Sequence, residues 1–181
     1  QASRQAVVTR GQTLTESINQ RWESLKGVSD LVDGDIEATV KQVNDLAKQI
    51  AALNASIVEA KGVGDSPNDL MDRRDLLVDK LSQLVNVTID HRDPDEFEVH
   101  VDGLVLVQGG IAREIGFQLR DDDSGYNKLI WKDTGKDAVF SGGKLGALVE
   151  LRDVDIRNEI QQLNTMTMNF ADLVNDIHRN A

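Results

Sequence analysis

Residues 36–84 read IEATVKQVNDLAKQIAALNASIVEAKGVGDSPNDLMDRRDLLVDKLSQL, two helical stretches on either side of a short break. Ile36, Val43, Ile50 and Ile57 recur every seven residues, and Thr39, Leu46, Leu53 and Ala60 make a second row three residues on. Such rows describe an a/d seam on a helix of at least ~25 residues, about 38 Å at ~1.5 Å per residue. Lys61-Gly62-Val63-Gly64-Asp65 interrupts it. Ser66 then stands where a cap is wanted, Pro67 at the first helical position and Asp69 three residues after the cap. A hydroxyl there accepts a free first-turn amide, and the fixed φ of proline suits a helix start. Leu70, Leu77 and Leu84 resume the seven-residue spacing, with Val78 and Leu81 beside them. The stretch is expected to be an antiparallel helical hairpin, a part that builds rods and interfaces more often than active sites.

Before it, Val7, Leu14, Ile18, Trp22 and Leu25 mark one face of a first helix over residues 1–26. Gly27-Val28-Ser29-Asp30 or Asp33-Gly34-Asp35 is expected to separate that helix from the next. After Asn86 the pattern alternates. Val87-Thr88-Ile89 begins a strand, His91 to Asp95 reads as a turn, and Phe97, Val99 and Val101 line the apolar face of a second strand. Asp102-Gly103 is a two-residue hairpin signal, and Leu104 to Val107 is the returning strand. Weaker strands follow at Arg113 to Leu119 and Lys128 to Lys132, with Ala138-Val139-Phe140 as a short last one. Helix returns after Gly142-Gly143, where Ile156, Leu163, Phe170 and Ile177 form another seven-residue row. An early and a late helix of similar seam chemistry can pack beside the central hairpin. The expected fold is α+β: an elongated antiparallel bundle of long helices with a small antiparallel β unit inserted between the hairpin and the last helix. The expected division is a helical part over 1–85, a β unit over 86–141 and a returning helix over 142–181.

Composition narrows the function. The chain of 181 residues has 31 acids against 20 Lys and Arg, a net charge of −11, and 4% aromatic residues. That charge argues against nucleic acid and anionic membranes as partners, because both recruit clustered Lys and Arg. With no cysteine, disulfides, thiolate metal sites and thiol nucleophiles are excluded. No run approaches the 18 apolar residues a membrane helix needs. The chain opens Gln1-Ala2-Ser3 inside a helical pattern, without a cleavable signal pattern, and reads as a piece of a longer protein.

Chemical motifs give no coherent set. Gly142-Gly143-Lys144-Leu145-Gly146 has Leu145 where a nucleotide-binding loop requires Ser or Thr, so a tight strand-to-helix turn is the expected role. Asp121-Asp122-Asp123-Ser124-Gly125 departs from the calcium-loop spacing at Gly125 and Lys132 and reads as a solvated hairpin tip. His91, His100 and His178 fall in three segments, none with a metal-ligand partner at i+3 or i+4. Neither a catalytic residue, a cofactor nor a metal is expected. Arg74 lies on the apolar face between Leu70 and Leu77. Either its stem snorkels, or it is held between helices by Asp75 or an acid of the facing helix; the structural ion pair is the reading taken.

Leu53-Asn54, Pro67 to Leu77 and Leu81-Ser82 together resemble the flagellar hook-associated protein 1 family. Gly103 to Gly110, Gly143 to Leu148 with Arg152-Asp153, and Asn169 to His178 are similar to later segments of that family. The resemblance implies a structural subunit joining the flagellar hook to the filament. It implies the flagellar hook protein and hook-associated protein 3 as partners, self-assembly into a ring by the full-length protein, and export through the flagellar type III apparatus. It further implies an extracellular place, or a periplasmic one where the flagellum is periplasmic. This piece, lacking the family's terminal coiled-coil segments, is expected to be monomeric. Ser66, Pro67, Asp69, Arg74, Asp75, Asp102 and Gly103 are the residues expected to matter structurally. Another axial subunit (hook-associated protein 3 or flagellin type), a helical signalling module with a β insert, and an enzyme remain as alternatives.

Overall fold

The computed structural model describes residues 2–93, 96–122 and 124–179. It is mostly helical with antiparallel β structure inserted, an α+β fold. Helix α1 runs Ala2–Gly62 and α2 runs Asn68–Leu84. Strands β1 (Val87–Asp93), β2 (Glu96–Val101), β3 (Leu104–Gln108) and β4 (Ile111–Ala112) form one sheet in sequence order; β5 (Ile115–Leu119) and β6 (Asn127–Trp131) form a second. Helix α3 (Gly143–Glu150) continues through a π-helical segment, Leu151–Ile156, into α4 (Arg157–Arg179). The chain divides into two compact units, residues 1–33 with 150–181 and residues 34–149.

The expected break in α1 does not occur, at Gly27 or at Gly34. A helical glycine costs only about 1 kcal/mol relative to Ala, and no proline enforces a stop. Burial of Ser29 and Val32 just there rewards continuing the helix.

In the unit of residues 34–149, the row Ile36, Val43, Ile50 and Ile57 is buried as expected. Of the expected companion row, only Thr39 is buried. Val40, Ala47 and Asn54 are buried, whereas Leu46, Leu53 and Ala60 are only half-buried. A straight helix turns 3.6 residues per turn and drifts from a seven-residue repeat; α1 presents a broad globular face and not a narrow coiled-coil seam. Asn44 shows what faces it: its Nδ2–H donates to the Ile115 carbonyl and its Oδ1 accepts the Ile115 amide, both at 2.9 Å, so one side chain continues the edge of β5. Val99, Val101, Leu106, Val107, Ile115 and Trp131 supply the β side of this core.

Asp102-Gly103 makes the expected hairpin. Asp102 has φ +49° and Gly103 φ +82°, the paired positive values of a type I′ turn. The expected turn at His91 begins later, since β1 continues to Asp93; Pro94 and Asp95 lie outside the described residues. The β part consists of two antiparallel sheets, and Ala138–Phe140 is not a strand: a bridge from Ile130 to Asp137 and the Ala138 amide on the Leu129 carbonyl (2.8 Å) stand in its place. Arg113 joins the two sheets. It reaches the Val105 carbonyl at 3.2 Å, grips Asp133 with two nitrogens at 2.7 and 2.9 Å, and lies 4.2 Å over the Trp131 ring.

In the other unit, residues 150–181 cluster with residues 1–33 of α1. Ile156 and Leu163 are buried there and Phe170 is half-buried; the side chain of Ile177 lies outside the described residues.

Candidate functional site

The segment after the α1–α2 break is built around Arg74. Pro67, not Ser66, is the residue preceding the helix, with φ −79° and ψ 56°, and no side chain caps it. The Ser66 amide donates to the Asp65 carboxylate (2.8 Å), and the Ser66 carbonyl accepts the Asn68 amide (2.8 Å). Asp69 sits in the first turn, where a negative charge complements the helix dipole.

Arg74 is 6% exposed, so it does not snorkel. Its guanidinium lies 3.7 Å over the Phe97 ring of β2, a cation–π contact in a desolvated place. Nη1 donates to Asn54 Oδ1 of α1 at 3.4 Å, and Nε reaches Asp75 at 3.4 Å. Asp75 is 63% exposed, so the expected ion pair is the weakest of the three ties. Asn54 in turn donates to the Gly109 carbonyl at 2.8 Å. Arg74 therefore fastens α2 to α1 and β2, and Asn54 extends the chain of contacts to the end of β3. The sequence placed Arg74 on an apolar stripe but could not supply Phe97, which needs the sheet to be folded beneath it. Arg74→Leu is expected to cost about 1–3 kcal/mol through the lost ring contact and the stranded Asn54 oxygen. That corresponds to a melting temperature lowered by roughly 2–12 °C for a chain of this size. An unchanged melt would show that only the aliphatic stem contributes.

A second cluster surrounds the Asp102 turn. The Asp102 carboxylate accepts the Ser141 amide at 3.1 Å, the Ser141 hydroxyl, and the Asn86 amide at 3.4 Å. Burial pushes its pKa up, but the Ser141 hydroxyl and amide and the Asn86 amide outweigh it and hold the pKa below the ordinary value. Asp102 thus clasps the entry of β1 and the loop before α3. There the expected strand-to-helix turn over Gly142 to Gly146 is replaced by the start of α3 itself, because Ala138–Phe140 is not a strand and the helix begins at Gly143, whose φ of +68° sets it against the backbone of Leu84 and Val85.

Glu114 sits between Lys132, at 2.7 Å, and Lys48 of α1; hydrogen bonds from Lys132 and then Lys48 hold its pKa down to about 2. The acidic turn is a hairpin tip between β5 and β6, with Asp122 accepting the Ser124 amide at 3.2 Å; Asp123 lies outside the described residues.

His91 packs edge-on to Phe97 at 4.8 Å. The side chain of His178 lies outside the described residues. His100 is different: its Nε2 is 2.9 Å from Glu98, and Asp90 is close by. The sequence reading missed this group by testing helical spacings. On a strand, i and i+2 share a face, and Asp90 joins them only through the β1–β2 register.

Comparison with known proteins bears on the whole chain. A family model described as the flagellar hook-associated protein FlgK helical domain matches residues 1–181. Flagellar hook-associated protein 1 of Escherichia coli is 30% identical over 98% of this chain, and that of Salmonella typhimurium 31% over 98%. The chain spans 34% of the length of each of these curated relatives. The flagellar hook junction protein FlgK from Burkholderia pseudomallei has a similar structure, with a TM-score of 0.70 and 28% identity, covering 78% of this chain and 27% of that one.

Proposed function

The chain belongs to the flagellar hook-associated protein FlgK helical-domain family, and from that premise we propose that it serves in a structural subunit joining the flagellar hook to the filament. The family match from residue 1 to residue 181 carries this reading. The subunit acts by protein–protein assembly and not by catalysis. Its partners are the flagellar hook protein on one side and hook-associated protein 3 on the other, and the full-length protein closes into a ring. It reaches this place outside the cell by flagellar type III export. In this reading residues 86–141 are a β insert carried by the helical parts 1–85 and 142–181.

Surface chemistry supports an assembly role. Val7, Leu14 and Trp22 on α1 and Met166, Leu173 and Val174 on α4 are between 37% and 69% exposed. Large apolar side chains left open along two helices suit contact with other protein surfaces. The ties at Arg74, Arg113 and Asp102 are those of a part that holds its shape, because each joins elements far apart in sequence.

The test is genetic. Cells lacking the whole gene are expected to build hooks but to shed filament subunits unattached into the medium, and the intact gene supplied in trans restores filaments. Filaments of normal length on the deleted strain would sink the proposal.

A further inference from the structure

The geometry points to a binding site for a divalent first-row cation, zinc by preference, formed by Asp90, Glu98 and His100 on one face of the β1–β2 hairpin. Asp90 pairs directly across from Glu98, and His100 is two residues along from Glu98 on the same face. One ligand atom from each lies within 4.8 Å of the other two. Around a metal held at about 2.1 Å, neighbouring ligand atoms stand roughly 3.0–3.4 Å apart. His100 Nε2 and Glu98 Oε2, at 2.9 Å, already have nearly that separation, and a side-chain rotation brings Asp90 in.

Glu98 gives the site its character. It is 6% exposed, and its other carboxylate oxygen accepts a hydrogen bond from Gln108 Nε2 on β3 at 3.0 Å. A ligating carboxylate oriented by a neutral amide is how outer partners position metal ligands. Two carboxylates and a neutral imidazole sum to the charge that balances a dication. Half-buried Asp90 and His100 leave the remaining coordination positions to water. Imidazole with carboxylates favours zinc, nickel or copper over magnesium and calcium, which prefer all-oxygen sites. A bound ion would staple β1 to β2 across a hairpin that is otherwise held by its ladder and by the Asp102 clasp.

Calorimetric titration of the protein with zinc chloride in a non-coordinating buffer tests this. One saturable site per chain is expected, weakened roughly tenfold or more by His100→Gln and by Asp90→Asn. His91→Gln, on the same strand as Asp90, is expected to leave the isotherm unchanged. Absence of saturable heat at millimolar zinc overturns the proposal. So does an isotherm that neither His100→Gln nor Asp90→Asn alters, or one that His91→Gln abolishes. Where circular dichroism shows His100→Gln unfolded, Asp90→Asn on the sheet's edge strand decides the matter alone.

Discussion

Gly143→Ala is expected to destabilise the protein by about 3–5 kcal/mol, lowering the melting temperature by roughly 6–20 °C. Two costs combine. Gly143 has φ +68°, a left-handed conformation that a Cβ disfavours. The added Cβ would also lie 2.6 Å from the carbonyl carbon and oxygen of Leu84 and from the amide nitrogen of Val85. These are backbone atoms at the end of α2, and they cannot swing aside as a long side chain can. Relief requires α3 to lift off α2, and that pulls against the Ser141–Asp102 clasp two residues earlier. Gly27→Ala supplies the control: its Cβ meets nothing within 4 Å, and the change is expected to stabilise α1 by about 0.5–1 kcal/mol. Thermal melts followed at 222 nm measure both. Equal melting temperatures for Gly143→Ala and the parent would mean that the start of α3 is not seated on Leu84.

The same glycine shows what a sequence discloses. Gly142-Gly143 was legible as a turn before a helix, because two adjacent glycines punctuate strongly. Which backbone Gly143 approaches was not, since Leu84 is far back along the chain. The Ile36-to-Ile57 row and the Asp102-Gly103 turn were legible because both are local: one is a period, the other a pair of positive φ values. The companion row failed for a related reason. Heptad counting assumes a partner helix, and the face of α1 meets strands, where Val40 and Ala47 are covered in place of Leu46 and Leu53. The continuous α1 defeated a propensity argument: two glycines cost less than the burial that bridges them. Arg74, Asn54 and Phe97, and likewise Asp90, Glu98 and His100, were visible singly but meet only through register and packing. The π-helical turn at Leu151–Ile156 carries no helix-breaking residue that announces it. The resemblance to flagellar hook-associated proteins reached the family where local physics could not reach a function.

Arg152→Leu is expected to cost about 3–5 kcal/mol, the usual penalty for breaking a buried charge cluster from one side. The Arg152 side chain is 1% exposed within the π-helical segment. Its Nη1 bonds Asp33 of α1, while Nε and Nη2 reach both oxygens of Asp153 at 2.7 and 3.2 Å. Burial works against the guanidinium charge, but hydrogen bonds and attraction from Asp153 and then Asp33 outweigh it and raise the arginine pKa further. Leucine fills the space and takes the guanidinium away from two poorly hydrated carboxylates, 23% and 16% exposed. Arg152→Lys keeps the charge but loses the planar fork that serves both acids, so an intermediate loss is expected. Asp33→Asn with Asp153→Asn in the leucine background is expected to recover much of the stability, because replacing every member of a buried cluster costs less than removing one. The position of the damage is as informative as its size. Asp33, Arg152 and Asp153 all belong to the unit of residues 1–33 and 150–181. Hydrogen exchange is therefore expected to quicken around residues 25–33 and 150–163 while the amides of β2 and β3 keep their protection, since sub-global opening follows compact units. Uniform acceleration across both units would show instead that α1 couples them into a single cooperative structure, with Arg152 at a point on which the whole fold depends.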